Sequence, residues 1–144
     1  MSYVKIWLHC VWSTKNRECF IPLSFRPALL SHIRDYAKEN GIMLDYINAR
    51  PDHVHALIIM GKQQSVAEIM NRIKGESSFW INRLKLTPAH FIWQDDYFAA
   101  SVSHSHVDRV RRYIKNQDQH HKNFTCDEEI NRFQEQYGFG IEQE

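Results

Sequence analysis

Two histidines stand two residues apart at the head of the apolar run Pro51-Asp52-His53-Val54-His55-Ala56-Leu57-Ile58-Ile59-Met60. On a β-strand such residues share a face, with their Cα atoms roughly 6–7 Å apart. Two imidazoles at that separation can close on one divalent cation from two sides. His-x-His alone is a weak signal, since the chain has nine histidines and a second such pair, His104-Ser105-His106. Placement strengthens the first pair. Histidine is uncommon inside a sheet unless it is paired or bound.

A second constellation lies at Val110-Arg111-Arg112-Tyr113-Ile114-Lys115-Asn116-Gln117. At about 100° per residue, Val107, Val110 and Ile114 form one apolar stripe of a helix. Tyr113 and Gln117 lie beside the stripe one turn apart, with Arg109 one turn earlier and His120 nearby. A tyrosine at such an edge is usually a partly buried anchor. The basic residue and the amide on the same side point instead to chemistry. A phenol, with an ordinary pKa of about 10, serves as a nucleophile when a metal, a cation or a proton acceptor favours its phenolate. Metal plus tyrosine suggests attack on a phosphodiester.

The elements that must position these groups can be read from periodicity and punctuation. Val4 to Trp12 is rich in β-branched and aromatic residues and reads as a strand. A helix is expected from Ala28 to Asn40, stopped by Gly41. Met43 to Ala49 and His53 to Met60 read as strands joined by the turn Arg50-Pro51-Asp52. The second of these is apolar on both faces and so central in its sheet. Ser65 with Glu68 forms a capping box for a helix from Val66 to about Arg83. Its expected inward residues are Ile69, Met70, Ile73, Phe79, Trp80 and Ile81. Gly75 within it suggests a close approach to the backbone. Phe91 to Ser103 reads as a last strand region with a turn near Asp95-Asp96, followed by a helix from about His106 to His120. This βαββαβ order predicts an α+β fold: a ferredoxin-like or RRM-like antiparallel sheet, with an added C-terminal tyrosine-bearing helix across its free face.

A length of 144 residues fits one domain with a sizeable core. No apolar run reaches membrane-spanning length and the N-terminus has no signal pattern. Cys10, Cys19 and Cys126 are odd in number and lack a CxxC pair, which fits reduced thiols in a cytoplasm. Residues 125–144 hold six acidic residues against Arg132, net −5, so residues 1–124 carry net +6. A basic body of this kind is compatible with nucleic acid, and equally with a well-solvated surface. Residues 1–124 are read as one catalytic domain. Residues 125–144 are read as a peripheral acidic helix, around Ile130 and Phe133, and a tail.

The chain resembles the single-tyrosine HUH transposases of small bacterial insertion sequences and the related REP-associated tyrosine transposases. The resemblance runs from about Tyr3 to Glu129. It rests on Trp12-Ser13-Thr14-Lys15-Asn16-Arg17, Pro51-Asp52-His53-Val54-His55, Lys74-Gly75-Glu76-Ser77-Ser78, Ile92-Trp93-Gln94-Asp95-Asp96-Tyr97, Ser101-Val102-Ser103 and Val110 to His121. Each block is weak alone; six in order are specific. The resemblance implies that His53 and His55 are metal ligands, that Tyr113 is the nucleophile, and that Gln117 completes the metal site. Asn116 competes with Gln117 for that role, and helix geometry favours Gln117. It further implies a homodimer, in which the tyrosine helix of one chain can serve the histidines of the other. The implied substrate is single-stranded DNA with hairpins at the element ends, in a bacterial or archaeal, nucleoid-associated setting. The chain departs from the family pattern in having no glycine between Gly75 and Gly138, where mobile tyrosine helices often have a hinge.

A neutral two-histidine and amide set suits Mg²⁺ or Mn²⁺, whereas zinc more often recruits a third histidine or a cysteine. Lys15, Arg17, Lys74 and Arg109 are the expected DNA contacts. Trp93 and Tyr97 are either stacking surfaces or core residues, and Ser77 and Ser78 either line a phosphate path or sit on an exposed helix face. Two other functions compete: a non-catalytic single-stranded nucleic-acid-binding module on the same fold, and a zinc-dependent hydrolase using His53, His55, His104 and His106.

Overall fold

The computed structural model describes residues 1–117 and 126–137. It contains β1 (Ile6–Thr14), α1 (Arg26–Glu39), β2 (Met43–Ala49), β3 (His53–Met60), α2 (Val66–Arg83), β4 (Trp93–Val102), α3 (Val107–Lys115) and α4 (Cys126–Tyr137). The four strands form one antiparallel sheet in the order β2-β3-β1-β4. That is the expected ferredoxin-like α+β arrangement. No helix among the described residues is long and apolar enough to cross a membrane.

Punctuation sets the element limits. Gly41 adopts φ +71°, the left-handed conformation that ends α1, and Ile42 N–H reaches back to Ala37 O at 2.8 Å. Ser65 Oγ accepts from Glu68 N–H at 3.1 Å and caps α2. The alternation of β1 and β3 then divides the sheet into two faces. Leu8, Cys10, Trp12, Val54, Ala56 and Ile58 pack with α1 and α2 in the main core. Trp7 and Leu57 face the other way and join Val102 and the α3 stripe Val107, Val110 and Ile114 in a second cluster. The added helix therefore lies across the second face, as the sequence predicts.

Two local expectations need correction. The turn near Asp95-Asp96 is an irregularity within one continuous strand: Trp12 pairs with Tyr97 but Thr14 with Trp93, so β4 carries extra residues there. Phe79 is 63% exposed, because α2 cannot turn Phe79, Trp80 and Ile81 inward together at helical spacing; Ile81 takes the core position. The tyrosine helix starts after a short 3₁₀ turn at His104–His106 and ends at Lys115. Its expected extension to His120 lies outside the described residues.

Candidate metal and tyrosine site

The strand period places His53 and His55 on the second face of the sheet, where they are 0% and 1% exposed. Their ring centroids are 5.0 Å apart at 71°. Each ring is held through Nδ1. His53 Nδ1 lies 2.7 Å from Asp52 Oδ1, and His55 Nδ1 lies 2.9 Å from His9 Nε2. Asp52 is itself fixed by the turn, since its carbonyl accepts from Thr14 N–H at 2.8 Å and Arg50 N–H donates to His53 O at 2.8 Å. With Nδ1 occupied in both rings, a shared cation would be met by Nε2, and both Nε2 atoms are buried.

Tyr113 reaches the same place from α3. Its ring centroid is 5.6 Å from that of His55 and 6.0 Å from that of His9, within one chain. Three features seat the helix. Val107, Val110 and Ile114 bury their stripe against Trp7, Leu57 and Val102. Arg111 forks onto Asp45, Nε to Oδ2 at 2.6 Å and the terminal nitrogen to Oδ1 at 2.8 Å. Asn48 Nδ2 donates to Ile114 O at 2.9 Å. Asp45 is available to Arg111 because β2 bulges there: Leu44 pairs with Ile58 and Tyr46 with Leu57, which leaves Asp45 as the extra residue.

The two anchors also give the direction of α3. Position 111 lies over Asp45 and position 114 over Asn48, so Gln117 comes one turn further toward the Arg50–His53 end of the hairpin. Gln117 is fully buried, and its Nε2 donates to Tyr113 O at 3.1 Å. Its Oε1 is buried with no hydrogen-bond partner among the described residues. Asn116 is exposed at the end of α3. A buried amide oxygen together with two imidazoles held by Nδ1 would be a neutral donor set that fits a hard divalent cation completed by water or phosphate oxygens.

The expected DNA contacts fall in different places. Lys15 is exposed and Arg17 half-buried on a 3₁₀ turn that leaves β1 at its Ser13 end, where Ser13 pairs with His53. Arg17 lines a cleft of about 440 Å³ with Val11, Ser13, Asn16, Gln94 and Phe98. Arg109 is exposed on α3. Lys74 is already engaged: its Nζ donates to Gln94 O and Asp95 O, both at 2.7 Å, and lies over the Tyr97 ring. Burial lowers its pKa, and Asp95 and Asp96 oppose that shift. A phosphate would have to compete with those carbonyls. Trp93 is core, 5% exposed, with Nε1 donating to Ser77 Oγ at 2.9 Å. Ser77 is buried with it, while Ser78 is half-exposed and bonds Gly75 O. Among the described residues nothing lies within 4 Å of where a Cβ on Gly75 would stand, so no close approach explains that glycine.

His104 and His106 lie just past Val102, which pairs with Trp7, whereas His53 pairs with Ser13 at the other end of β1. Six strand residues separate the two positions by roughly 20 Å. The four-histidine zinc arrangement is therefore not assembled, and no cluster of three or more His, Cys, Asp or Glu suited to a metal occurs among the described residues.

Sequence reasoning missed two parts of this site. His9, 2% exposed, is the centre of its polar network; the available signal was a histidine in the middle of an apolar strand. The second part is α4, which is not peripheral. Phe133 is 2% exposed and packs edge-on to His9 at 4.8 Å and against Phe98 at 5.9 Å. Tyr137, one turn on, places its hydroxyl 3.0 Å from His9 Nδ1, and burial pushes its pKa up to about 12.

The chain is similar in sequence and fold to known transposases. The chain is 25% identical over 114 residues to the ISDra2 transposase TnpA of Deinococcus radiodurans, spanning 76% of this chain and 81% of that protein. A crystal structure from Deinococcus radiodurans R1, assigned as a candidate transposase, superposes with a TM-score of 0.65 at 27% identity, covering 81% of this chain and 95% of that one. The fold is also that of a REP-associated tyrosine transposase solved with a REP hairpin, at TM-score 0.64 and 13% identity, over 84% of this chain and 72% of that one. A sequence model of the IS200-like transposases matches residues 2–117, a span that takes in both histidines and the tyrosine and stops at Gln117, and the chain belongs to that family.

Proposed function

We propose that this transposase cleaves and rejoins single-stranded DNA through a 5′-phosphotyrosine at Tyr113. The observation that carries the reading is the approach of the Tyr113 ring to within 5.6 Å of His55 on the shared sheet face, in a single chain. A divalent cation, Mg²⁺ or Mn²⁺, held by His53, His55 and Gln117 would neutralise charge developing on the scissile phosphate. Tyr113 Oη gives up its proton and bonds to phosphorus, while the bond from phosphorus to the 3′-oxygen breaks and that oxygen leaves as a 3′-hydroxyl. In rejoining, a 3′-hydroxyl attacks the phosphotyrosine and the phenol is restored. The phosphodiester is exchanged and not hydrolysed, so no nucleotide cofactor is needed. Lys15, Arg17 and Arg109 would steer the strand by its phosphates. The neighbour solved with a REP hairpin supports a hairpin-bearing DNA as partner. The working unit we propose is a homodimer whose sites are each completed within one chain.

The test is a hairpin-flanked single strand incubated with the protein and Mn²⁺, read on a denaturing gel. Wild type should form a covalent adduct. Tyr113→Phe should abolish it while DNA binding stays within about twofold, because only a hydroxyl is removed. An adduct persisting in Tyr113→Phe refutes the assignment, and salt-dependent binding with no adduct in wild type identifies a binding module instead.

A further inference from the structure

We infer that His9 and Tyr137 form a positioning relay that orients the His55 ring and supports its metal-competent tautomer, which makes α4 a working part of the metal site. The inference rests on the proposed metal-binding role of His55. His53 is oriented by a carboxylate, Asp52, which only accepts hydrogen bonds when ionised and so holds the proton at Nδ1. His55 Nδ1 instead meets the imidazole of His9, at 2.9 Å from its Nε2.

Proton bookkeeping then runs outward from the ligand. A His55 that offers Nε2 to a cation carries its proton on Nδ1 and donates to His9 Nε2. His9 must then carry its own proton on Nδ1, and that N–H donates to the Tyr137 hydroxyl at 3.0 Å. The opposite polarity would put a proton on His55 Nε2 and close it to metal. The Tyr137 hydroxyl can accept from the His9 N–H, and this allows the competent polarity.

Packing supports the same assignment. Phe133 and Tyr137 are one turn apart on α4 with ring centroids 4.8 Å apart, and they meet the His9 ring at 88° and 79°. They fix its plane from one side, while His55 lies 5.2 Å away. The family match ends at residue 117, so the hydroxyl that completes the relay comes from beyond it.

The test measures Mn²⁺ binding by calorimetry, together with the ¹⁵N shifts of the His55 ring in the metal-free protein. Wild type should show His55 protonated at Nδ1. His9→Leu should weaken Mn²⁺ about 10–100-fold, the range for losing a ligand's orienting partner. His9→Gln, whose amide oxygen can still accept from His55, should recover most of that loss. Tyr137→Phe keeps the ring and its packing and should weaken Mn²⁺ about fivefold, the worth of one neutral hydrogen bond, and shift His55 toward protonation at Nε2. If His9→Leu does not fold, Tyr137→Phe decides the matter. Mn²⁺ affinity and His55 shifts equal to wild type in Tyr137→Phe overturn the relay. Wild type that binds no Mn²⁺, or binding unchanged in His53→Ala, overturns the metal reading and the relay with it. Binding lost in His53→Ala but retained in the His9 and Tyr137 variants overturns the relay alone.

Discussion

Two inactive variants, Tyr113→Phe and His53→Ala, can be mixed to ask which chain supplies the phenol to each histidine pair. The structure predicts no rescue. The link from Val102 to Val107 is residues 103–106, held as a 3₁₀ turn with His106 N–H on Ser103 O at 2.9 Å. Even fully extended, four residues span only about 14 Å, and no glycine between Gly75 and Gly138 eases a swing. Release of α3 would also expose Val107, Val110 and Ile114, which are 4%, 5% and 0% exposed. At about 1.5–3 kcal/mol each, that alone costs at least ~5 kcal/mol. The Asn48–Ile114 bond adds about 1 kcal/mol. Docked helices should therefore outnumber helices released into solvent by roughly a thousandfold or more, so an exchanged helix would have to redock on its partner through the same short link.

The assay is covalent adduct formation after the two variants have been exchanged through mild denaturant and returned to native buffer. If each site is completed within its own chain, both kinds of site in every assembly lack one group and the mixture stays at background. If tyrosine helices are exchanged between protomers, half of the dimers are mixed, and each mixed dimer has one intact composite site. Adduct would then recover to about a quarter of the wild-type level. Recovery near that fraction would refute the argument from the short link and the buried stripe.

Further outcomes follow from buried groups. Gln117→Met removes an amide oxygen that has no hydrogen-bond partner among the described residues, at the loss of the bond from Nε2 to Tyr113 O. An unmet buried acceptor costs about 1–3 kcal/mol and the lost bond is worth about 1 kcal/mol, so the variant should melt about 3 °C above wild type in EDTA yet lose most of its stabilisation by Mn²⁺; a lower melting point in EDTA would refute this. Cys10, 1% exposed, has its thiol pushed up from 9.0 to about 12 by burial. The folded state then keeps a proton that the unfolded chain releases above pH 9, so stability falls as pH rises from 9 toward 12. At pH 10 this group accounts for about 1 kcal/mol of lost stability, and urea melts of Cys10→Ala should show a pH 8-to-10 decline smaller by roughly that amount.

What could be read in advance follows the range over which each feature is decided. The limits of β2, β3 and α2 fall where Gly41, Arg50-Pro51-Asp52 and Ser65 put them, because turns and caps are settled by a few neighbouring residues. The shared face of His53 and His55 follows from the strand period alone, and the side of α3 that carries Tyr113 follows from the helix period. The bulge at Asp45 is decided by the partner strand and nothing in its segment announces it, whereas Asp95-Asp96 marks the irregularity of β4 but not that the strand continues through it. The acidic content of residues 125–144 reads as a solvated tail, yet charge on a helix says only which side faces water. Phe133 and Tyr137, spaced one turn apart, are the side that docks.

His53 and His55 show the same division within one site. The ring of His53 is oriented by Asp52, its neighbour in the chain, so that half of the arrangement is written in five consecutive residues. The ring of His55 is oriented by His9, 46 positions away, which is in turn held by Tyr137, 128 positions from His9. His9 becomes visible only when β1 is known to lie beside β3 and Val11 opposite His55, which brings His9 to the diagonal on the same face. A shared face for two histidines can thus be read from spacing, because both lie on one element. The groups that hold the donors in the productive tautomer answer only to distance in space, so a site read from sequence lacks the residues that decide how tightly it grips.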